Sequence, residues 1–315
     1  MLIKDFIQAH INGVSEKMTK PITIFNATRG LNTKIDPARV EQSEDGIVDL
    51  TVALNIDIGT TGRISRRKGF IRKIEIANPH SLYCDEKVSL FVADNHLQNL
   101  GSDYSSTPLL ALSSGDNTMR YVRVVDAVYF CNGVDIGVYR DEVASQWIAG
   151  GYHGVVVQAP PTGTHIEHFK GRIYVAKDTF LYYSEPFQYD RFNYYTNVIP
   201  FGEKINMIRK TVDGLYVGTD AGVYFLAGDP TDSQIHKVST LTVIDHTDEY
   251  ARTEWFMLEN VRPADCCLWS STMGVCVGLP SGQVYEMTQQ RIDIPPASSG
   301  CSLVDEKEII INFNV

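Results

Sequence analysis

Five times the chain runs through an apolar or aromatic strand, a small residue, a tight turn and a second strand. The copies are Leu90-Phe91-Val92-Ala93-Asp94-Asn95, Val128-Tyr129-Phe130-Cys131-Asn132-Gly133, Ile173-Tyr174-Val175-Ala176-Lys177-Asp178, Leu215-Tyr216-Val217-Gly218-Thr219-Asp220 and Val275-Cys276-Val277-Gly278-Leu279-Pro280. With Phe91, Tyr129, Tyr174, Tyr216 and Cys276 as anchors, the intervals are 38, 45, 42 and 60 residues. A propeller blade of four short strands takes about 40–50 residues, so the period predicts an all-β fold, a β-propeller of about six blades. The longest interval, Tyr216 to Cys276, needs extra strands or an insertion, and Ile235-His236-Lys237-Val238 is a candidate strand within it.

Turn chemistry agrees with the repeat. Asn132-Gly133, Asp213-Gly214 and Ser281-Gly282 are dipeptides suited to strand reversal. Earlier in the chain, Ile47–Val52 alternates, and Asn55–Ile58 runs through Gly59-Thr60-Thr61-Gly62 into Arg63–Arg67, a sixth hairpin about 35 residues before Phe91. Asp36-Pro37 reads as an N-cap followed by a proline in a first helical turn, and residues 1–20 as an amphipathic helix or an extended arm. The expected division is an arm over 1–45 and a propeller over 46–315. Tyr and Phe, 29 together, suit the wedges between blades, and the terminal strand Ile309–Phe313 is expected to close the ring against an N-terminal strand.

A formal charge of -10 argues against a general nucleic-acid binder, because duplex affinity comes from Lys and Arg neutralising phosphates. The six cysteines read as free thiols, with Cys131 and Cys276 inside apolar strands and Cys266-Cys267 lacking the C-x-x-C spacing of metal or redox sites. No apolar run is long enough for a transmembrane helix, and Lys4, Asp5, His10 and Glu16 break any signal-peptide core, so folding in a cytoplasm is expected.

Catalytic and cofactor motifs are missing. His165-Ile166-Glu167-His168 gathers two imidazoles and a carboxylate, but it is not H-E-x-x-H, and strand residues three apart face opposite sides. Asp94, Asp135, Asp178, Asp220 and Asp229 recur at or near hairpin turns, where Asp commonly serves its own backbone. Phosphate-cradling and nucleophile-elbow patterns do not occur. The reading is therefore of a non-enzyme with no catalytic residue, no metal and no cofactor. Arg63, Arg66, Arg67, Lys68, Arg72 and Lys73 form one basic cluster, either a solvated face or a patch for an acidic partner; Arg63, Arg66 and Arg67 are the interface candidates.

Two stretches carry a family resemblance. Ala27-Thr28-Arg29-Gly30-Leu31-Asn32-Thr33-Lys34, then Ala53–Ile58 and Gly62–Phe70, supply a G-[IL]-N element followed by A-x-N-[VI]-D-[IV] and G-x-[IVL]-x-R-R-x-G over about 45 residues. This order resembles the opening of virion proteins of tailed bacteriophages, and the hairpin repeat is similar to tail nozzle and tail hub proteins of short-tailed phages. The resemblance implies a structural virion protein of the tail, part of the head-to-tail connector and DNA ejection channel, assembled in the host cytoplasm. Its implied partners are copies of itself in a homo-oligomeric ring, a hexamer favoured, then portal-adaptor and other tail proteins, fibres or spikes, and DNA in passage. Two alternatives stay open: a carbohydrate-binding propeller using Tyr182, Tyr183, Tyr194 and Tyr195, and a glycoside hydrolase with carboxylates at the propeller mouth.

Overall fold

A computed structural model describes residues 27–40, 46–59, 61–69, 71–151, 157–232, 234–256, 258, 260–305 and 308–314. The expected helix or arm over residues 1–20 lies outside them. The chain divides into two compact units, Met1–Phe70 with Gln290–Ile292, and Ile71–Gln289 with Asp293–Val315. The division thus falls after residue 70, where the sequence suggests 46; the strands between those points cluster with the preceding residues.

In the first unit, β1 (Ala27–Leu31) pairs in parallel with β2 (Ile47–Leu50), with a bulge between Thr28 and Gly30. The Thr28 hydroxyl donates to the Val48 carbonyl at 2.8 Å and accepts from the Gly30 N–H at 3.0 Å. Asp36 caps a 3-10 turn, Pro37–Arg39, by accepting from the Ala38 N–H, as the Asp-Pro pair predicts. β3 (Ile56–Ile58) and β4 (Ile64–Arg66) form the expected antiparallel hairpin. Gly62 sits at φ +76, and a Cβ there would lie 2.3 Å from the Thr28 carbonyl, so only glycine fits this close approach. Asp49 draws in Arg29 and Arg291, the latter at 2.7 Å.

The second unit is a succession of antiparallel sheets. The first holds β5 (His80–Cys84), β6 (Ser89–Ala93), β7 (His96–Leu100) and β8 (Ser106–Ala111). The next holds β9 (Arg120–Val124), β10 (Ala127–Cys131), β11 (Ile136–Arg140) and β12 (Val143–Gln146). A third has five strands: β13 (His165–Phe169), β14 (Arg172–Lys177), β15 (Phe180–Glu185), and both β16 (Gln188–Phe192) and β17 (Val198–Pro200) on β15. β18 (Ile205–Lys210), β19 (Gly214–Thr219), β20 (Gly222–Ala227) and β21 (Gln234–Ser239) follow, and then β22 (Glu249–Arg252), β23 (Asp265–Ser271), β24 (Gly274–Gly278) and β25 (Val284–Glu286). A hairpin of β26 (Ser299–Asp305) and β27 (Glu308–Asn314) ends the chain. Among the described residues the partner of the last strand is β26, its immediate predecessor, since strands adjacent in sequence pair more readily than distant ones.

Four of the five repeat copies fall in the second strand of their sheets, β6, β10, β14 and β19, and the fifth falls in β24, the third strand of its sheet, which lengthens the last interval. These strands are buried on both faces and consequently read as continuous apolar runs. Successive residues serve different interfaces, following the two-residue period of a strand: Val128 and Phe130 pack toward the first sheet with Leu90, Val92 and Leu97, whereas Tyr129 and Cys131 pack toward the third with Ile173 and Val175. The same bridging recurs between the third and fourth sheets and between the fourth and fifth. The small residue of the repeat leaves room for a neighbour's ring. A Cβ on Gly278 would stand 2.6 Å from the Tyr216 ring of the preceding sheet. Turns agree in part: Gly133 and Gly282 take positive φ, and Asp94-Asn95 takes it at both central positions, while Gly214 does not.

A polar tie joins the first two sheets. Asp85 pairs with Arg123, accepts from the Tyr83 hydroxyl at 2.7 Å and accepts from the Lys87 and Val88 N–H groups. Burial alone would raise this carboxyl, but Arg123, Tyr83 and the two N–H groups hold it well below the usual carboxylate range. A depressed folded value means stability that is complete above the unfolded value of about 3.9 and is lost as the pH falls through the folded value. Urea midpoints measured from pH 7 downward should therefore drop below about pH 4. Asp85→Asn should lower stability at pH 7 by about 1–3 kcal/mol and flatten that acid limb. An unchanged limb would remove Asp85 from the account.

Candidate functional site

The first strands of successive sheets lie side by side, β9 next to β13 and β13 next to β18, while outer strands such as β21 are exposed. The inner strands would need apolar or paired side chains there, and this chain uses paired charges. Asp248, 1% exposed, receives Arg120 from β9 and the Arg209 Nε of β18 at 2.8 Å. Arg209 Nη2 also donates to the Asp248 main-chain carbonyl at 2.9 Å. Glu167 on β13, fully buried, accepts from the Tyr250 hydroxyl and lies 3.5 Å from Lys210 Nζ and 3.9 Å from Arg209 Nη1. The Arg209 guanidinium lies 4.9 Å from the Tyr250 ring centroid. Strands of the second, third, fourth and fifth sheets are thereby tied at one place.

The electrostatics follow from burial and pairing. Desolvation alone would raise the Asp248 carboxyl, but Arg120 and Arg209 hold it far below the usual range. Burial would lower Arg209, and Asp248 and its neighbours more than reverse this. Beside them, burial together with Arg120 pushes the His246 imidazole down to about 4. Burial likewise holds the Glu249 carboxyl above its ordinary value. Glu249 joins Arg120, Arg209, Tyr83 and Leu303 around a cavity of about 430 Å³.

Strand alternation sorts the His165–His168 segment as the sequence predicts. His165 and Glu167 face the charged cluster, whereas Ile166 enters the core and His168 packs edge-on to Tyr189 at 5.5 Å. The partners of His165 come from 80 residues further on: its Nε2 is 3.0 Å from Asp245 Oδ1, and its ring stacks on His246 at 5.5 Å. Sequence reasoning missed Arg120, Arg209, Asp245 and Asp248. A signal existed, since Met119-Arg120-Tyr121-Val122 and Met207-Ile208-Arg209 each set an arginine inside an apolar strand.

The other sequence candidates are placed as follows. Arg63, Arg66 and Arg67 are exposed residues of the first unit, and Arg67 pairs with Asp57 at 3.4 Å. Asp94 and Asp178 occupy positive-φ turn positions, Asp135 accepts from the Ser113 and Ser114 N–H groups, Asp220 accepts from Asn206 and Asp229 from Thr231. Of the four tyrosines considered for glycans, Tyr183 is buried and Tyr182 and Tyr194 pack on each other at 4.7 Å, leaving Tyr195 as the exposed ring. All six cysteines are free thiols. Among the described residues, no helix is long and apolar enough to cross a membrane.

No family model and no curated protein matches the chain. Among solved structures it is similar to BBS1N in complex with ARL6DN, at 12% identity over 79% of each chain with a TM-score of 0.50. It is also similar to a virginiamycin B lyase from Staphylococcus aureus, at 11% identity over 76% of this chain and 87% of that one, with a TM-score of 0.48. An extracellular domain from B. thetaiotaomicron matches at 16% identity over 68% of this chain, with a TM-score of 0.44, and the chain spans 29% of that domain's length. With the sheet succession described above, the fold is a β-propeller. A propeller hosts binding, catalysis and scaffolding alike, so the likeness carries no activity.

Proposed function

We propose that this chain is a non-enzymatic structural protein of a phage tail, a nozzle or hub component of the head-to-tail connector that works as a ring of copies. The observation that carries the reading is the N-terminal motif, whose residues build one folded element. Thr28 bonds to Gly62 across β1 and the β3–β4 turn, Asn32 donates to Leu50 and Asp49, and Asp57 pairs with Arg67. The motif is thus a piece of architecture that a virion protein could present to a neighbour, with Arg63 and Arg66 exposed upon it.

The buried Asp248 and Glu167 add support, because carboxylates saturated by Arg120, Arg209 and Lys210 hold strands together. Since side chains occupy the place where the inner strands meet, the ejection channel in this reading is formed by the ring of copies, each propeller being one wall element. Fibres or spikes would dock on the exposed loops.

The test is light scattering followed by negative-stain imaging of the purified protein, alone and mixed with the portal and adaptor proteins of the same genome. A ring, or a monomer that joins a ring on the portal-adaptor complex, is expected. Arg63→Glu with Arg66→Glu should weaken that joining at least tenfold while leaving the circular dichroism spectrum unchanged. A wild-type monomer that ignores these partners overturns the proposal, and a charge-reversed variant that joins normally removes the basic patch from the interface.

A further inference from the structure

We propose that His165, Asp245 and His246 bind a divalent transition-metal ion of the zinc class, which staples the third sheet to the segment leading into the fifth. The three donor atoms lie within 4.8 Å of one another. Nitrogen and oxygen ligands about 2.0–2.2 Å from a zinc ion stand about 3–4.4 Å apart, so only small side-chain adjustments are needed. His165 Nε2 and Asp245 Oδ1 are 3.0 Å apart, and His246 Nδ1 faces the same carboxylate oxygen at 3.5 Å.

His246 Nδ1 is a buried ring nitrogen that makes no hydrogen bond, an orphaned polar atom of the sort that a ligand or ion satisfies. The remaining ring nitrogen of His165 meets the Thr164 hydroxyl at 3.0 Å, the outer contact that commonly fixes the orientation of a metal-bound imidazole. Adjacent residues of an extended chain point to opposite sides, yet His246 is at φ +63, which turns its side chain to the side of Asp245. The Asp245 carbonyl is in turn held by the Gly300 N–H at 2.8 Å.

The donor set sorts the ion. Two imidazoles and one carboxylate suit Zn²⁺, Co²⁺ or Ni²⁺, whereas Ca²⁺ and Mg²⁺ prefer all-oxygen shells. Arg120, whose charge acts on both Asp245 and His246, has its guanidinium on Asp248, whose carboxylate offsets it. Three protein ligands leave one tetrahedral position for water. The inference does not depend on the phage reading, because a staple across inner strands serves any propeller.

The experiment titrates the untagged full chain, dialysed against chelator, with Co²⁺ followed by optical spectroscopy and with Zn²⁺ followed by calorimetry. One ion per chain, with the visible absorption of four-coordinate cobalt displaced by zinc, is the expected result. His246→Asn, which tolerates positive φ, should weaken binding by at least a hundredfold, and His236→Gln at an exposed position should leave it unchanged. Thermal scans of the wild type with Zn²⁺ should show a rise in Tm that His246→Asn abolishes. No stoichiometric binding, or binding of equal strength in His246→Asn, overturns the proposal; the wild-type titration decides even if a variant fails to fold.

Discussion

Asp248→Ala should lower the stability of the propeller by about 3–5 kcal/mol, read as a fall in urea midpoint, because it leaves buried guanidinium groups without a counter-charge. Arg120 and Arg209 are 14% and 11% exposed and both lean on this one carboxylate. Arg209→Met should cost a similar amount through the converse defect, leaving Asp248 and Glu167 short of a cation. Removing the whole group is a different matter. With Arg120→Met, Arg209→Met, Asp248→Leu and Glu167→Gln together, much of the loss should be recovered, since a nearly apolar core of similar volume needs no desolvation of charge. Single substitutions costing under about 1 kcal/mol would mean that water reaches the cluster and that it does not tie the sheets.

Tyr216→Ala should cost about 3–5 kcal/mol, and Tyr216→Phe about 1–2 kcal/mol, so that the two variants separate ring packing from hydroxyl bonding. Tyr216 is fully buried between the fourth and fifth sheets, 5.6 Å from the Trp269 ring, and its hydroxyl donates to the Leu279 carbonyl at 2.6 Å and to that of Gln283 at 3.1 Å. Its ring also occupies the space that Gly278 leaves empty. Tryptophan fluorescence during urea denaturation gives the midpoints directly, with Trp269 as a reporter beside the substituted ring. If Tyr216→Phe were as damaging as Tyr216→Ala, the hydroxyl would dominate and the packing account of the repeat would fail.

Both predictions arise where one sheet meets the next, and they differ in how visible their residues are along the chain. Tyr216 belongs to a second strand buried on both sides, so burial imposes an unbroken apolar run that recurs once per sheet. The exposed strands β8 and β12 carry no such imprint and were legible only as the room left between anchors, whereas β21 was legible through Ile235-His236-Lys237-Val238. The charged cluster was hidden for another reason. Arg120 and Arg209 each look like an isolated charge in a strand, Glu167 reads as part of the His165–His168 segment and Asp248 as a loop carboxylate, and their common purpose exists only once four sheets bring them together.

By itself, then, the sequence determined the β-propeller, one central buried strand in each of the five larger sheets, the β3–β4 hairpin, the Asp36 cap and the opposite orientations of His165 and His168. Each depends on local geometry: the period of a strand, the φ of a turn residue, or a cap two residues away. Tertiary structure alone decided which charges meet, that His165 finds Asp245 and His246 rather than His168, that residues 46–70 cluster with the first unit, and that the last strand pairs with β26. Pairings over 80 or 128 residues are set by how sheets stack around their shared inner strands, and no local preference of the chain encodes that arrangement.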